Sequence, residues 1–441
     1  MKYLDLIIKY GTILFVFLIP WQARLILVEG NINGGYWEYG TQSLYATEVL
    51  FFVLLVALLA KGALAIKHNK PSFSFKRLKS PIGILAILII WSGLSIIWSV
   101  NSSVALEHWI VLLEAGVIFL VLISRVVSFN GLAWTIIASG FIQATIAITQ
   151  SLLQVVPGST IFGMAQQTAD MLGTSVVETD SSRWLRAYGT FPHPNILGGW
   201  LVVSLLSLIA VSRGLVQEVR GAKDKITKMR FAIRYLFFAV IVFGLLATFS
   251  RSAWLAALIG IGIFIIISIK EKLFRRLAIK LTGILIIVVV LFGALFPDQL
   301  SSRINNQDRL EVKSTQERVA GFGEAWEVIK QNRILGTGIG NYGLAVHQDI
   351  DNSQPSYYYQ PAHNVLMLVW AELGIVVLFS ILYFLSSIFM RKKRMRILRA
   401  GILFLPIIII SLFDHYLWSL YSGMMILMVY FSIFFLKLGK K

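Results

Sequence analysis

Long apolar runs alternate with short polar or basic segments along almost the whole chain. A helix crosses the bilayer core with about 20 mostly apolar residues, and on that measure the sequence predicts twelve transmembrane helices. The predicted spans are 6–19, 44–66, 81–98, 104–124, 132–153, 196–212, 231–249, 252–269, 281–296, 364–389, 400–413 and 419–436. Because helices satisfy their backbone hydrogen bonds internally, the pattern predicts an all-α polytopic membrane protein, with residues 1–441 forming a single integral membrane domain.

Composition agrees with this fold class and excludes several kinds of site. Hydrophobic residues make up 57% of the 441 residues and charged residues 14%, whereas a soluble domain has about 25% charged residues. Cysteine is absent from the sequence. Disulfides, thiol nucleophiles and cysteine-ligated zinc are therefore excluded.

The net charge of +18 reflects membrane topology. Twelve alternating spans place 30 of the 40 Lys and Arg residues on one side, which the positive-inside rule makes cytoplasmic together with both termini. The loops have no interleaved aromatic residues for stacking bases, so a nucleic-acid partner is not expected. The basic segments are 67–79, 213–234, 270–280, 391–399 and 437–441, with further charges at Lys2, Lys9, Lys61 and Arg125.

Three segments on the opposite, extracytoplasmic side are long: 20–43, 154–195 and 297–363. Within the last of these, apolar residues recur at helical spacing over 316–331. The recurring residues are Val319, Phe322, Trp326 and Ile329. This pattern predicts an amphipathic helix on the outer face.

Two arginines are candidate binding residues. Arg251 lies near membrane depth, where a charge costs free energy, and Arg186 lies in an outer loop. Arg251 interrupts two apolar spans, so it is either a buried cation for an anionic ligand or an interfacial residue that snorkels to lipid phosphate. Arg186 precedes a turn rich in Pro, Gly and Asn that leads into the sixth span. By itself, this segment is more typical of a surface loop with solvated arginines.

His363 lies at the outer mouth of the tenth span. Pro361 is a residue type favoured at a helix start, so His363 is predicted in the first helical turn. Gly374, eleven residues later, is predicted on the same helical face, where another helix approaches closely. The ordinary pKa of histidine, near 6.5, suits a general base, and a structural histidine is the alternative.

The predicted topology brings Arg186, Arg251 and His363 to one outer face from three separate loops. Two guanidinium groups neutralise a pyrophosphate through charge-assisted hydrogen bonds, and a neighbouring histidine deprotonates an incoming hydroxyl. This set of residues indicates group transfer from a lipid-linked pyrophosphate donor.

At these residues the chain resembles the O-antigen ligase and O-antigen polymerase superfamily of bacterial membrane glycosyltransferases. Residues 186–195, Arg-Ala-Tyr-Gly-Thr-Phe-Pro-His-Pro-Asn, are similar to the family's Arg-x-x-Gly-Thr-Phe-x-x-Pro-Asn turn. Arg251-Ser-Ala-Trp-Leu255 is similar to its Arg-x3-Leu element, and Glu317-Arg318 with 336–342 resembles its large periplasmic loop.

The end of that loop resembles the ligase motif of His, a polar residue, nine variable positions and Gly. It reads His363-Asn364 followed by Gly374 here, whereas Val377 departs from the small or hydroxylated residue expected three positions later. Ligase and polymerase therefore both remain open.

The resemblance implies a GT-C-like fold and a catalytic region over 185–380. It implies transfer of a glycan from undecaprenyl pyrophosphate to a hydroxyl of a carbohydrate or glycolipid acceptor, with no metal or other cofactor. By position, Arg186 and Arg251 would hold the pyrophosphate, and His363 would be the base. Arg318, Asn195 and Asn364 would contact substrate.

Four other segments carry weaker signals. Residues 336–343 look like a phosphate loop but are expected to form a flexible turn, and Asp349 with Asp351 is expected to be a solvated pair rather than a metal site. Residues 36–40 are similar to an oligosaccharyltransferase motif but lie in the first outer loop. The turn 414–416 lies beside the site and is interpreted as a structural, hydrogen-bonded turn, with polar contacts to the site as the alternative.

Other functions remain open at this stage. A polymerase and a ligase differ in whether the acceptor is a second lipid-linked repeat unit or another carbohydrate. A protein O-oligosaccharyltransferase is a third possibility, and a polysaccharide or anion transporter is the alternative outside enzymes. A transporter would hold its charges near mid-membrane, whereas these residues cluster at the outer surface, which favours an enzyme.

Overall fold

The computed structural model describes residues 2–66, 81–179, 182–219, 224–305, 309–390 and 394–438. The predicted basic segment 67–79 lies outside the described residues, as do parts of the basic segments 213–234, 391–399 and 437–441. In order, the helices are α1 Lys2–Leu18, α2 Ala46–Ile66, α3 Pro81–Leu94, α4 Ser102–Ile123, α5 Phe129–Leu153, α6 Pro194–Glu218, α7 Lys225–Ala247, α8 Arg251–Lys270, α9 Lys272–Leu295, α10 Pro297–Asn305, α11 Arg309–Gln331, α12 Tyr342–Asp349, α13 Val365–Met390, α14 Arg394–Phe413, α15 Tyr416–Ser419 and α16 Tyr421–Leu438.

Each predicted span coincides with one helix, in the order α1 to α9, α13, α14 and α16. Among the described residues, eight helices are long and apolar enough to cross a membrane. Three further apolar helical stretches are shorter: Ile82–Trp98, Phe404–Phe413 and Tyr421–Leu436. The predicted fold class, an all-α polytopic membrane protein, is confirmed.

Short antiparallel hairpins shape the loops between helices. The strands are β1 Arg24–Val28, β2 Asn31–Ile32, β3 Gly35–Tyr36, β4 Gln42–Tyr45, β5 Val155–Val156, β6 Gln167–Thr168, β7 Val176–Glu178 and β8 Arg183–Leu185. In the described chain they pair as β1 with β4, β2 with β3, β5 with β6 and β7 with β8. The hairpins lie in two of the three segments predicted as extracytoplasmic and give these loops a fixed backbone.

Helix α6 is the centre of the bundle, because every residue from Pro194 to Ser212 is buried. It packs against α5, α7, α8, α14 and α16. Small residues permit this close packing: a Cβ on Gly198 would lie 2.7 Å from the Cβ of Ala253. The first turn of α6 is therefore a rigid platform, and Asn195 lies on it.

The tenth span begins close to its predicted start, but the prediction that His363 lies in the first helical turn is wrong. Helix α13 begins at Val365, so Pro361 and His363 lie in the preceding segment. The side chain of Asn364 caps the helix, because its Oδ1 accepts from the backbone N–H of Leu366 and Met367 at 3.0 and 3.1 Å. His363 is therefore presented by a loop rather than by a helical turn.

Gly374 does not share a regular helical face with His363, because it breaks α13 with φ 76° and ψ 178°. A Cβ at Gly374 would overlap the backbone carbonyl of Ile334. The close approach that was predicted therefore involves a loop, not a second helix. Both the left-handed φ and this contact require glycine.

The glycine-rich segment 336–340 is an ordered turn against the break in α13, which corrects the expectation of a flexible turn. The N–H groups of Thr337 and Gly338 donate to the carbonyls of Ala371 and Glu372, both at 2.9 Å. These carbonyls precede the break, so the turn supplies the hydrogen bonds that helix continuation would have provided.

The predicted amphipathic helix is present as part of α11. Ile329 is buried, whereas Val319 is 64% exposed and Trp326 is 46% exposed. The Trp326 ring meets Trp370 of α13 edge-on, with the ring centroids 5.7 Å apart. The helix thus contacts the bundle through one end of its apolar face.

Candidate functional site

His363 lies beside the turn that joins α14 to α15. Its ring meets the ring of His415 edge-on at 4.9 Å. One ligand-type atom each from His363, Asp414 and His415 lies within 4.8 Å of the others. Asp414 and His415 are buried, and His363 is partly exposed. The turn 414–416, interpreted from the sequence as structural, therefore lies beside the predicted base.

Asn195 connects Arg186 to this cluster. The Nη2 of Arg186 donates to the Asn195 Oδ1 at 2.6 Å, and the Asn195 Nδ2 donates to the Asp414 Oδ2 at 2.7 Å. All three side chains are buried. The arrangement fixes the amide orientation and directs the positive end of a buried network towards the Asp414 carboxylate.

Arg251 belongs to a second cluster, centred on the buried carboxylate of Glu311 in α11. Its Nη2 lies 3.3 Å from the Glu311 Oε2. Arg303 of α10 donates to the other oxygen, Oε1. The Glu311 side chain is 3% exposed, and that of Arg251 is 33% exposed. One carboxylate thus faces two guanidinium groups, which leaves a net positive cluster.

The break between α7 and α8 is braced by both arginine clusters. Arg186 donates through Nε to the Thr248 carbonyl at 2.8 Å, and Arg303 donates through Nε to the Phe249 carbonyl at 2.9 Å. Phe249 has a left-handed φ of 48°. Because few side chains adopt that conformation freely, the two bonds stabilise the turn from which Arg251 projects.

Arg318 is close enough to both clusters to interact electrostatically with Asp414 of the first and with Arg251 and Glu311 of the second. Its Nε is buried and has no hydrogen-bond partner among the described residues. A buried guanidinium N–H without a partner is costly, so this donor is suited to an anionic ligand.

The charge of Arg318 affects the protonation of His363. Burial lowers the pKa of His363 to about 4, and the nearby Arg318 guanidinium acts in the same direction. The imidazole is therefore neutral at pH 7, as a proton acceptor must be. Burial also raises the pKa of Asp414 to about 6, although Arg318 and the Asn195 hydrogen bond oppose this shift.

His193 has a positioning role in the same network. Its Nδ1 accepts from the backbone N–H of Asn195 at 3.1 Å, and its Nε2 lies 3.1 Å from the Ser175 hydroxyl. Burial, followed by the charge of Arg186, holds the pKa of His193 well below its usual value. A neutral ring that caps α6 through Nδ1 keeps Asn195 in place.

A cavity of about 740 Å³ opens beside these residues. Its lining includes His193, Asn195, His363, Asp414 and His415. Residues of the loop that carries β1 to β4 also line it. A volume of this size is typical of ligand sites.

A metal ion is the other ligand that His363, Asp414 and His415 are chemically able to hold. However, the Asp414 Oδ2 already accepts from Asn195, and the His415 Nδ1 lies 2.6 Å from the Ser419 hydroxyl. The positive charge of Arg318 also acts on this cluster, and that charge repels a cation.

The structure therefore brings together Arg186, Asn195 and His363, with Arg318 beside them and Arg251 in the adjoining cluster. Asn364 differs, because its side chain caps α13 and its Nδ2 donates to the Leu412 carbonyl at 3.3 Å.

Sequence reasoning placed Asp414 and His415 in an outer turn beside the site but interpreted that turn as structural. It missed three further contributors, which depend on contacts that no local pattern reveals: His193, Arg303 and Glu311.

Comparison with known proteins gives two matches in the region that carries the site. The family model described as O-Antigen ligase matches residues 236–382. An O-antigen ligase of Salmonella typhimurium is 29% identical over 162 residues, which cover 34% of this chain and 37% of that protein. The chain thus spans little more than a third of the length of this relative. No solved structure matches the chain.

The family match includes Arg251, Arg318 and His363, and the resemblance noted in the sequence extends to Arg186 and Asn195. Over residues 236–382 the chain is therefore similar to O-antigen ligases.

Proposed function

We propose that the chain is a metal-independent glycosyltransferase. It moves a glycan from undecaprenyl pyrophosphate to an acceptor hydroxyl at the outer face of the bacterial cytoplasmic membrane, with both termini in the cytoplasm. The observation that carries this proposal is that His363 lines a polar cavity and feels the charge of Arg318, whose Nε is buried without a partner among the described residues. The family match and the O-antigen ligase name of the relative support the same activity.

In the proposed reaction, the imidazole of His363 takes the proton of the acceptor hydroxyl. The hydroxyl oxygen attacks the anomeric carbon, and the bond from that carbon to the pyrophosphate oxygen breaks. The products are the glycosylated acceptor and undecaprenyl pyrophosphate, and the proton stays on His363 until solvent removes it. Inversion follows from a single displacement with an oxocarbenium-like transition state.

Negative charge grows on the pyrophosphate as this bond breaks. Arg318 offers the unpartnered Nε, and Arg251 is the more exposed member of the cluster centred on Glu311. Fixed cations stabilise the transition state more than the ground state, because the leaving group is most negative at the end of cleavage. A bound pyrophosphate also offsets the charge of Arg318, which raises the basicity of His363 when the donor is present.

Arg186 has a different part in this proposal from that implied by the resemblance alone. It is 7% exposed, and its hydrogen bonds go to Thr248 and Asn195. We therefore assign it to positioning: it orients Asn195 and Asp414 and contributes long-range positive charge. A direct bidentate contact to pyrophosphate is assigned to Arg318 and Arg251 instead.

The test uses the full chain in nanodiscs with EDTA present throughout. The substrates are glycolipids extracted from a strain that lacks this chain, because such a strain accumulates unreacted donor and acceptor. A product that requires a separate glycolipid acceptor is expected for a ligase, and a ladder from the donor alone identifies a polymerase. The absence of any transfer by intact protein contradicts the enzyme proposal and favours a transporter.

A further inference from the structure

A connected polar network lines another part of the cavity that His363 lines. The Nη1 of Arg24 lies 2.6 Å from the Glu38 Oε1, and its Nη2 lies 2.9 Å from Oε2. The Tyr36 hydroxyl donates to the Glu38 Oε2 at 2.6 Å, and Arg24 also donates to the hydroxyls of Tyr36 and Tyr45 at 3.3 Å. All four residues line the cavity. The proposed reaction uses none of them.

The network is held by a fixed backbone. Arg24 and Tyr45 are direct partners in the pairing of β1 with β4, and the Tyr45 ring stacks on Tyr421 at 4.4 Å. The indole N–H of Trp37 donates to the Tyr359 carbonyl at 2.8 Å, which ties this loop to the segment before His363. The four polar groups are therefore preorganised relative to the predicted base.

The charges within the network cancel, because Arg24 and Glu38 form a bidentate pair. An anionic ligand needs an unpaired cation, which this wall does not supply. A neutral polyol fits better, since hydroxyl groups both donate and accept hydrogen bonds with carboxylate, guanidinium and phenol groups. The Tyr36 side chain is also 47% exposed and provides an apolar ring surface.

Tyr39 links this wall to the reacting group. Its ring meets His415 edge-on at 5.6 Å, and His415 meets His363 at 4.9 Å. Its hydroxyl has no hydrogen-bond partner among the described residues, and the side chain lines the cavity. This phenol, next to His415, is a further donor for a polyol.

The cavity also lies on a definite side of His363. Among the described residues its wall includes His363, but not the phosphate candidates Arg318 and Arg251. In an inverting displacement the incoming hydroxyl and the leaving group stand on opposite faces of the anomeric carbon. The cavity therefore opens on the acceptor side of the base.

We propose that Arg24, Tyr36, Glu38, Tyr39 and Tyr45 form a subsite for a neutral sugar of the acceptor glycan. The sugar hydrogen-bonds to the Arg24–Glu38 pair and packs against Tyr36, which directs its hydroxyl towards His363. This inference rests on the proposed function and specifies the acceptor as a carbohydrate. Residues 36–40, similar in sequence to an oligosaccharyltransferase motif, thereby take part in acceptor binding.

The experiment measures KM separately for donor and acceptor in nanodiscs, with glycolipids from the strain that lacks the chain. Glu38→Gln and Tyr36→Phe are compared with Glu29→Gln and Tyr357→Phe, whose side chains are exposed and form no hydrogen bond among the described residues. We expect Glu38→Gln to raise the KM for acceptor about tenfold, because a charged hydrogen-bond acceptor is lost. The donor KM should not rise, and both KM values of the two control variants should match those of wild type.

A binding measurement keeps this inference separate from the transfer reaction. Saturation-transfer NMR with the delipidated acceptor glycan should give a signal with wild type that falls with Glu38→Gln. If transfer occurs normally but neither KM nor the NMR signal responds, the sugar subsite is wrong. A rise in the donor KM alone also overturns it, because the cavity then holds the donor glycan. Wild-type protein that binds the glycan but transfers nothing contradicts the proposed function, not the sugar subsite.

Discussion

The amide of Asn195, on the first turn of the central helix α6, donates to the Asp414 carboxylate at 2.7 Å. These residues are 219 positions apart in the sequence. The contact joins the loop that carries Arg186 to the turn that packs against His363. It is thus the point at which the two halves of the proposed active site meet.

Replacing Asn195 tests this connection. Asn195→Ala removes the buried partner of the Arg186 Nη2 and of the Asp414 Oδ2, which we expect to cost about 1–3 kcal/mol of stability. We also expect glycan transfer to fall about 10- to 100-fold because the surroundings of His363 shift. Thermal unfolding and the nanodisc transfer assay measure the two effects. Asn305→Ala, at an exposed position of α10, should change neither.

Glu311 tests the adjoining cluster. Glu311→Gln removes the carboxylate that faces both Arg251 and Arg303, so two cations remain close together, one of them buried. Breaking a buried ion pair from one side costs about 3–5 kcal/mol, so we expect a lower unfolding temperature. Glu317→Gln provides the control, because the Glu317 side chain is 63% exposed. Equal unfolding temperatures of the two variants would show that this cluster does not stabilise the segment that contains α10 and α11.

The pH dependence of transfer reports on His363. Because the pKa of His363 is lowered to about 4, we expect kcat/KM of wild type to fall only as the pH approaches 4, rather than near pH 6.5. Arg318→Gln removes a cation that lowers this pKa, so the acid limb should move to higher pH. Arg333→Gln, at an exposed position of the same loop, should leave the limb in place. An unchanged limb in Arg318→Gln would contradict the proposed coupling.

The same shift affects stability. The folded-state pKa of His363 lies below the ordinary value of 6.5, so the unfolded chain binds this proton more readily. The contribution to stability is complete above about pH 6.5 and is lost as the pH falls towards about 4. His363→Gln should therefore unfold with a weaker pH dependence in that window, which thermal unfolding at several pH values measures.

Gly374 tests the contact between the break in α13 and the large loop. Gly374→Ala places a Cβ against the Ile334 carbonyl at a left-handed φ, so we expect poor folding and little purified protein. Gly262→Ala is the matched control, because that helical glycine has nothing within 4 Å of an added Cβ. Size-exclusion chromatography distinguishes the two. Normal folding of Gly374→Ala would mean that the break in α13 is not required.

Hydropathy predicted the helices well because each span is long relative to the errors at its ends. The position of His363 was mispredicted for a local reason: Pro361 is a common helix-starting residue, but the Asn364 side chain caps the helix three residues later. A cap is formed by hydrogen bonds to neighbouring N–H groups, and several residue types in this segment are able to form one.

The candidate site was only partly predictable. Arg186, Arg251 and His363 stand out because polar residues between apolar spans are rare. Glu311 and Asp414 do not stand out in the same way, since an acid in a polar loop is ordinary until the fold buries it. Glu311 is 2% exposed and Asp414 is 3% exposed. Their burial depends on contacts between distant segments.

The most direct test of the central claim compares wild type with His363→Ala in the nanodisc assay, at pH 7 and with EDTA. His347→Ala is the control, because His347 lies in the same large loop and contacts Asn33 instead of the site. We expect transfer by wild type and His347→Ala, and a loss of about 100-fold or more in folded His363→Ala. Transfer by His363→Ala at the wild-type rate would contradict the assignment of His363 as the base.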